Sequence, residues 1–146
     1  MFIEEMLPRA RERLVTIAGD APLLEAAKLL KAGTELVIVC DLSGLLAGVI
    51  TKTDIVAQIS NCQGANSKTA VALVMTCDVV RCEPKDLPRD VWARMKARGL
   101  KNIPVVDQES RPLGLLHARD ILQVLLSESE DEDTMLRDYV MGVGDR

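Results

Sequence analysis

The chain has very few aromatic residues: Phe2, Trp92 and Tyr139 are the only ones in 146 residues. Its core must therefore be aliphatic, and apolar residues are plentiful, at 48% of the sequence. The chain also lacks an excess of basic residues, since its formal net charge is −4. Without a basic surface or aromatic side chains for base stacking, we expect no binding to nucleic acid.

Long apolar runs are missing as well. Runs such as residues 36–40 and 45–50 fall far short of the ~20 residues that a transmembrane helix needs. The first residues include Glu4 and Glu5 and no apolar stretch, so no secretory signal peptide is expected. These absences predict a protein of the cytoplasm that does not insert into a membrane.

Familiar catalytic and metal-binding motifs are also absent. The four cysteines, Cys40, Cys62, Cys77 and Cys82, show no CxxC spacing, and we expect reduced core residues rather than disulfides or metal ligands. There is one histidine, His117, and no HExxH, P-loop or GxGxxG pattern. Since nucleophilic, metal-dependent and dinucleotide chemistry lack their usual residues, we predict a protein that is not an enzyme and requires no cofactor.

The chain contains a tandem repeat with a constant spacing of 66 residues. The clearest match joins GVITKTDI at residues 48–55 to GLLHARDI at residues 114–121. Other matching pairs fall at the same spacing: Asp20 with Asp86, Pro22 with Pro88, Gly33 with Gly99, and Asp41 with Asp107. Such a period is typical of a unit that cannot bury its apolar face alone and pairs with a copy of itself.

Each copy predicts the order β-α-β-β-α, which places the protein in the mixed α/β (α+β) class. A short first strand, at residues 14–17 or 79–82, precedes a helix for which Asp20 or Asp86 is the expected N-cap. A proline then lies in the first turn, and a glycine, Gly33 or Gly99, suits a left-handed helix end. Two almost continuously apolar strands follow, which indicates burial on both faces, and a second helix begins at the TKTD or HARD segment.

These elements divide the chain into five segments: an N-terminal segment (1–13), a first repeat (14–60), a linker and lead-in helix (61–76), a second repeat (77–126) and an acidic C-terminal tail (127–146). The tail carries apolar residues at helical spacing between residues 135 and 140. It is predicted to be a helix that either faces a partner or packs on the chain itself.

The β-α-β-β-α order, the IPVVD strand and the repeated G-h-h-[ST]-x-x-D turn resemble the cystathionine-β-synthase (CBS) domain. The tandem arrangement is similar to the CBS pair, or Bateman module, over residues 14–126. The resemblance implies a pseudo-twofold pair that binds an adenosine-containing ligand between the repeats: AMP, ADP, ATP, S-adenosylmethionine or NAD, with AMP or ATP as leading candidates. It also implies a regulatory role, a homodimer, and a protein partner regulated in trans.

The first repeat's turn has chemistry that suits such a ligand. Asp54 lies where strand becomes helix, and its carboxylate can accept hydrogen bonds from both hydroxyls of a ribose. Thr51 can donate to a phosphate at the helix entrance, and Lys52 adds positive charge. The resemblance implies that the other repeat completes this cleft with six residues: Asp78, Val79, Val80, Leu100, Lys101 and Asn102.

The second repeat's turn implies a weaker second cleft. Its expected residues are His117, Arg119 and Asp120, with Arg13, Leu14 and Leu36 from the first half of the chain. Here His117 replaces the hydroxyl, and Glu35 takes the position that Lys101 has in the first cleft. Because a carboxylate repels a phosphate, the first cleft is expected to be the occupied one.

Two alternatives stay open at this point. Asp54 and Asp120 can simply cap their helices, as aspartates near a helix N-terminus commonly do. The whole module can also be a scaffold for dimerisation or docking that keeps the fold but binds no ligand.

Overall fold

The computed structural model describes residues 1–31, 33–61 and 68–128 of the chain. The linker between residues 62 and 67 and the acidic tail beyond residue 128 lie outside these ranges, and so does the helix predicted for that tail. Within the described ranges, every helix is too short or too polar to span a lipid bilayer.

The first repeat follows a short 3₁₀ turn at Ile3–Met6 and a helix, α1, at Leu7–Arg13. Its elements are β1 (Thr16–Ala18), α2 (Leu23–Leu29), β2 (Leu36–Cys40), β3 (Leu46–Thr51) and α3 (Lys52–Asn61). β2 is central in a three-stranded sheet, because it pairs in parallel with β1 and antiparallel with β3. Both long strands are buried over most of their length, as their continuous hydrophobicity predicts.

The second repeat has the same order. Its elements are α4 (Pro88–Arg98), β4 (Asn102–Val106), β5 (Pro112–His117) and a further helix, α5, at residues 118–128. The first strand is reduced to one parallel bridge between Cys82 and Val105. The predicted β-α-β-β-α order and mixed class are therefore confirmed, with a first strand that is shorter than expected in the second copy.

The predicted N-caps, Asp20 and Asp86, are wrong. The residues that precede α2 and α4 are Pro22 and Leu87. Asp86 lies one residue too early, and its carboxylate instead accepts from the backbone N–H of Glu83 at 2.9 Å and from a neighbouring arginine at 3.0 Å. The aspartate thus stabilises the turn before the helix.

The expected left-handed helix ends are partly confirmed. Gly99 follows α4 directly and has φ +63°, a conformation that costs glycine little. Gly33 also has a positive φ, of +92°, but α2 ends at Leu29, several residues earlier.

The cores are aliphatic, and each repeat completes its core with side chains from the segment that leads into the other. Ile3, Met6 and Ala10, which precede the first repeat, pack in the core of the second. Val71, which precedes the second repeat, packs fully buried in the core of the first. A third cluster joins the two sheets: Leu36, Ile38, Leu46, Val49, Val106 and Leu115.

Two glycines at equivalent positions allow this exchange of lead-in segments. A Cβ atom added at Gly114 would lie 2.5 Å from the Cβ of Ala10 in α1. At Gly48 it would lie 2.7 Å from the backbone oxygen of Thr76, and Thr76 also bridges to Val49 through two backbone hydrogen bonds of 2.8 and 2.9 Å. The lead-in segment of the second repeat consists of turns and two isolated β-bridges, and its predicted helix is limited to a 3₁₀ turn at Val71–Leu73.

The cysteine prediction is only partly correct. Cys40, Cys77 and Cys82 are free thiols, but only Cys82 is a buried core residue, at 1% exposure. Burial raises the pKa of Cys82 to about 12, and the nearby carboxylate of Asp86 acts in the same direction. Cys77 is exposed, because it lies in the connection between the repeats rather than in a strand or helix. Cys62 lies outside the described residues.

We predict that Gly114→Ala destabilises the protein by about 1–3 kcal/mol, because the new methyl group overpacks the contact with α1. Gly19→Ala is the matched control and should cost less, since its added Cβ would lie 3.3 Å from the Cβ of Ala72, which has to shift by only a few tenths of an ångström. Urea denaturation of both variants measures the difference. Equal stabilities for the two variants would show that α1 does not depend on the glycine.

Candidate functional site

The first turn of α3 is closed by a reciprocal set of hydrogen bonds between Thr51 and Asp54. The Oδ2 atom of Asp54 accepts from the backbone N–H of Thr51 at 2.9 Å and from its hydroxyl at 3.2 Å. The backbone N–H of Asp54 donates back to the Thr51 hydroxyl oxygen at 3.3 Å. This is the reciprocal logic of a capping box, so Asp54 does serve as a capping residue.

The other carboxylate oxygen of Asp54 is held from across the repeat boundary. The hydroxyl of Thr76, in the lead-in segment of the second repeat, donates to Oδ1 at 3.0 Å. A carboxylate can accept about four hydrogen bonds, and Asp54 accepts three from the residues that the structure describes. One acceptor position on Oδ1 is therefore left for a sugar hydroxyl, and the second hydroxyl of a diol would have to displace the hydroxyl of Thr76 or that of Thr51.

The residues predicted to complete the first cleft are dispersed. Asp78 is exposed and pairs with Arg98 at 2.9 Å, while Val79 packs in the cluster that joins the sheets. Val80 and Leu100 pack against the core of the second repeat. Among the hydrogen-bond partners that the structure describes for Asp54, none comes from residues 78–80 or 100–102.

Asn102 belongs to the second cleft instead of the first. Its side-chain amide donates to Glu35 at 3.1 Å. It also lines a small cavity of about 30 Å³ with residues of both repeats: Arg13, Gly33, Thr34, Glu35, Leu36, Leu115 and His117. The structure thus brings together Arg13, Leu36 and His117 as predicted, in a space that suits a water molecule or two rather than a nucleotide.

Glu35 faces a cationic environment in this cleft. Its carboxylate lies 3.8 Å from Nε2 of His117. The hydrogen bond from Asn102 has the largest effect and lowers the pKa of Glu35. Burial raises this pKa by a smaller amount, and the charges of Lys101, Arg119 and a protonated His117 lower it further.

Asp120 has a different environment from Asp54. Its side chain is only 4% exposed, and it is the one charged residue that is buried among those described. The Nη1 atom of Arg9 lies 3.4 Å from Oδ1, and Nη2 of Arg13 donates to the same oxygen at 3.3 Å. The Nε atom of Arg13 is 2.9 Å from Oδ2 but lacks the alignment of a hydrogen bond, so this contact is a charge pair.

Sequence reasoning missed two residues that contact these carboxylates, Thr76 and Arg9. The role of Arg9 could have been predicted from the sequence, because Arg9 lies four residues before Arg13 in α1 and therefore on the same helix face. No sequence pattern predicts the role of Thr76. Only the fold places this threonine beside Asp54.

Comparison with known proteins identifies the family. The profile of the CBS domain matches residues 3–61 and again residues 71–127. The chain belongs to the CBS domain family. Each match begins in a lead-in segment, so the CBS unit includes the segment that packs on the opposite repeat.

Solved structures of CBS proteins share the fold. The CBS-domain containing protein ATU1752 from Agrobacterium tumefaciens is 27% identical, with a TM-score of 0.72 over 85% of this chain and 98% of that one. The cytosolic domain of the Mg²⁺ channel MgtE, in complex with ATP, is 26% identical, with a TM-score of 0.66 over 82% of this chain and 52% of that one. The CBS domain pair of MJ0100, in complex with 5′-methylthioadenosine and S-adenosyl-L-methionine, is 22% identical, with a TM-score of 0.70 over 88% and 98%.

Curated relatives are mostly larger proteins. An L-aspartate semialdehyde sulfurtransferase from Methanosarcina acetivorans is 32% identical over 115 residues, which are 77% of this chain but 22% of the relative. The chain spans 20% to 25% of the length of this relative and of two others, a second L-aspartate semialdehyde sulfurtransferase and the uncharacterised protein MJ1404, both from Methanocaldococcus jannaschii. The similarity therefore covers a CBS pair within those proteins.

The lowered pKa of Glu35 predicts a pH-dependent contribution to stability. A carboxylate whose pKa falls on folding stabilises the protein above its ordinary value of 4.5, and this contribution is lost as the pH falls through the lower, folded value. We expect the stability difference between wild type and Glu35→Gln to shrink between pH 5 and pH 3.

Urea denaturation at a series of pH values measures this difference, with Glu109→Gln, at an exposed turn residue, as the baseline. A difference for Glu35→Gln that stays constant or grows toward pH 3 would contradict the assignment.

Proposed function

We propose that the chain is a regulatory module that binds an adenosine-containing ligand between its CBS repeats and passes the resulting change to a partner protein. The observation that carries this proposal is the Thr51–Asp54 turn, which meets the second repeat at Thr76. The MgtE domain bound to ATP and the MJ0100 pair bound to adenosyl compounds support the ligand class.

The first cleft has the chemistry for a nucleotide. Lys52 opens α3, a helix of 10 residues, and the positive end of a helix dipole stabilises an anion there. The Thr51 hydroxyl adjoins the same turn, and Asp54 is the acceptor for the ribose diol. Because Lys52 attracts a phosphate more than an uncharged group, AMP or ATP is the leading ligand, ahead of S-adenosylmethionine.

The hydrogen bond from Thr76 to Asp54 couples the ligand site to the lead-in segment of the second repeat. A diol that displaces this hydroxyl removes one of the interactions that hold the lead-in segment against Gly48. The bound and free states then differ in how tightly the two repeats interlock. A ligand shifts such an equilibrium only through a difference in affinity for the two arrangements, and the competition between the diol and Thr76 is such a difference.

Exposed apolar residues on α3 and α5 suit a homodimer. Val56 and Ile59 on α3 are 59% and 49% exposed, and Leu122 and Leu126 on α5 are 40% and 55% exposed. Val56 and Leu122 occupy the same position in the two repeats, so the molecule has two similar faces that a second copy or a partner protein would cover. The proposal places the module in the cytoplasm, where adenine nucleotides are abundant, and assigns it no catalysis and no required cofactor.

One observation favours the alternative, a scaffold without a ligand. Asp54 already accepts three hydrogen bonds within the chain, so it has a structural role whether or not a nucleotide binds. In that case the apolar faces of α3 and α5 would be the functional surface, and the repeats would serve only for dimerisation or docking.

We predict that AMP or ATP stabilises the protein by about 2.7 kcal/mol at a hundredfold excess over Kd. Asp54→Ala should bind tens of times to a thousand times more weakly, because each lost hydrogen bond to a charged acceptor is worth about 1.5–3 kcal/mol. Thermal melts with and without nucleotide measure both effects, with each variant compared with its own ligand-free melt.

Asp90→Ala is the matched control, because Asp90 is an exposed aspartate in the first turn of α4. It should bind as tightly as the wild type. If Asp54→Ala also binds as tightly as the wild type, the site assignment is wrong. A panel of adenine nucleotides that gives no melt shift, together with a stable dimer in light scattering, would favour the scaffold.

A further inference from the structure

The two aspartates that the duplication makes equivalent have become chemically different. Asp54 is half-buried, and the side chains that donate to it are the hydroxyls of Thr51 and Thr76. Asp120 is almost fully buried, and the side chains around it are guanidinium groups. A neutral hydroxyl is readily exchanged for a sugar hydroxyl, whereas a charged partner in a buried site is not.

Within the described part of the chain, the charged partners of Asp120 all belong to α1. Arg9 and Arg13 lie one turn apart in α1 and both contact Asp120. The residues 66 positions later are Met75 and Val79, which carry no charge. The first cleft therefore has no counterpart of this arginine pair at the equivalent positions.

The position of α1 leaves the arginine pair little freedom to move away. Ala10, between the two arginines, is fully buried against Gly114, and Ile3 and Met6 are buried in the core of the second repeat. The carboxylate of Asp120 thus connects residues that are 107 and 111 positions apart in the chain. Removal of its charge would leave the α1 arginines without their charged partner, and removal of the arginines would leave a buried, unpaired carboxylate.

We infer that Asp120 anchors α1 and does not accept a sugar diol, so that Arg9 and Arg13 limit the chain to one diol site. This inference rests on the proposed function for the identity of the ligand. The anchoring itself stands on the contacts of Asp120 and is tested separately.

The first test compares two matched variants, Asp54→Asn and Asp120→Asn, in calorimetric titrations with ATP. Wild type should bind one nucleotide per chain. Asp54→Asn should weaken binding by at least about tenfold, a loss of 1.4 kcal/mol, whereas Asp120→Asn should keep both the stoichiometry and the wild-type affinity. Two nucleotides per wild-type chain, or equal weakening by the two variants, would overturn the inference.

The second test is a stability cycle that needs no ligand. Arg9→Met with Arg13→Met should lower the urea midpoint, because the pair leaves a buried carboxylate unpaired. Adding Asp120→Asn to this pair should cost less than it costs in wild type, since the charge that it removes no longer has a partner. Asp54→Asn should lower the stability by the same amount in the wild type and in the double arginine variant. The contacts that the structure describes for Asp54 do not include Arg9 or Arg13.

The two tests separate the two claims. If wild type binds no adenine nucleotide but the cycle is coupled, the proposed function fails and the anchoring role of Asp120 stands. If the losses for Asp120→Asn and the arginine pair are additive, Asp120 does not anchor α1, and the inference is overturned whatever the titrations show.

Discussion

The structure depends on a close approach of backbone at two equivalent glycines. At Gly48 and Gly114 the absence of a side chain lets the lead-in segment of the opposite repeat lie directly against the hairpin of β2 and β3 or of β4 and β5. Each aliphatic core is then completed by the other half of the chain. Neither repeat buries a full core alone, so the pair folds as one interlocked unit and necessarily has clefts where its halves meet.

Electrostatics breaks the symmetry that the duplication created. Around Asp54 the partners are hydroxyls, which leave the carboxylate available for exchange with another hydroxyl. Around Asp120 they are guanidinium groups, which hold it in place. Glu35 contacts His117 and Asn102 in the second cleft, and a carboxylate at this position repels a phosphate. The proposed ligand site and the proposed structural anchor therefore lie at equivalent positions of the two repeats.

Short-range patterns predicted the fold well. The constant spacing of 66 residues, the apolar strands and the glycine after α4 all report local geometry, and the structure confirms them. The prediction failed where the outcome depends on the partner segment. Asp86 binds in its own turn because Pro88 starts the helix later than expected. Thr76 and Asn102 have roles set by which residues the folded repeats bring together, and no local pattern encodes that.

Native mass spectrometry of the purified protein, after incubation with a mixture of AMP, ADP, ATP and S-adenosylmethionine, tests the central claim most directly. The account predicts a complex whose mass equals the chain plus one adenosyl ligand, or a dimer that carries two. A bare chain at saturating ligand would contradict the claim of a ligand site between the repeats, and two ligands on each chain would contradict the difference between the clefts.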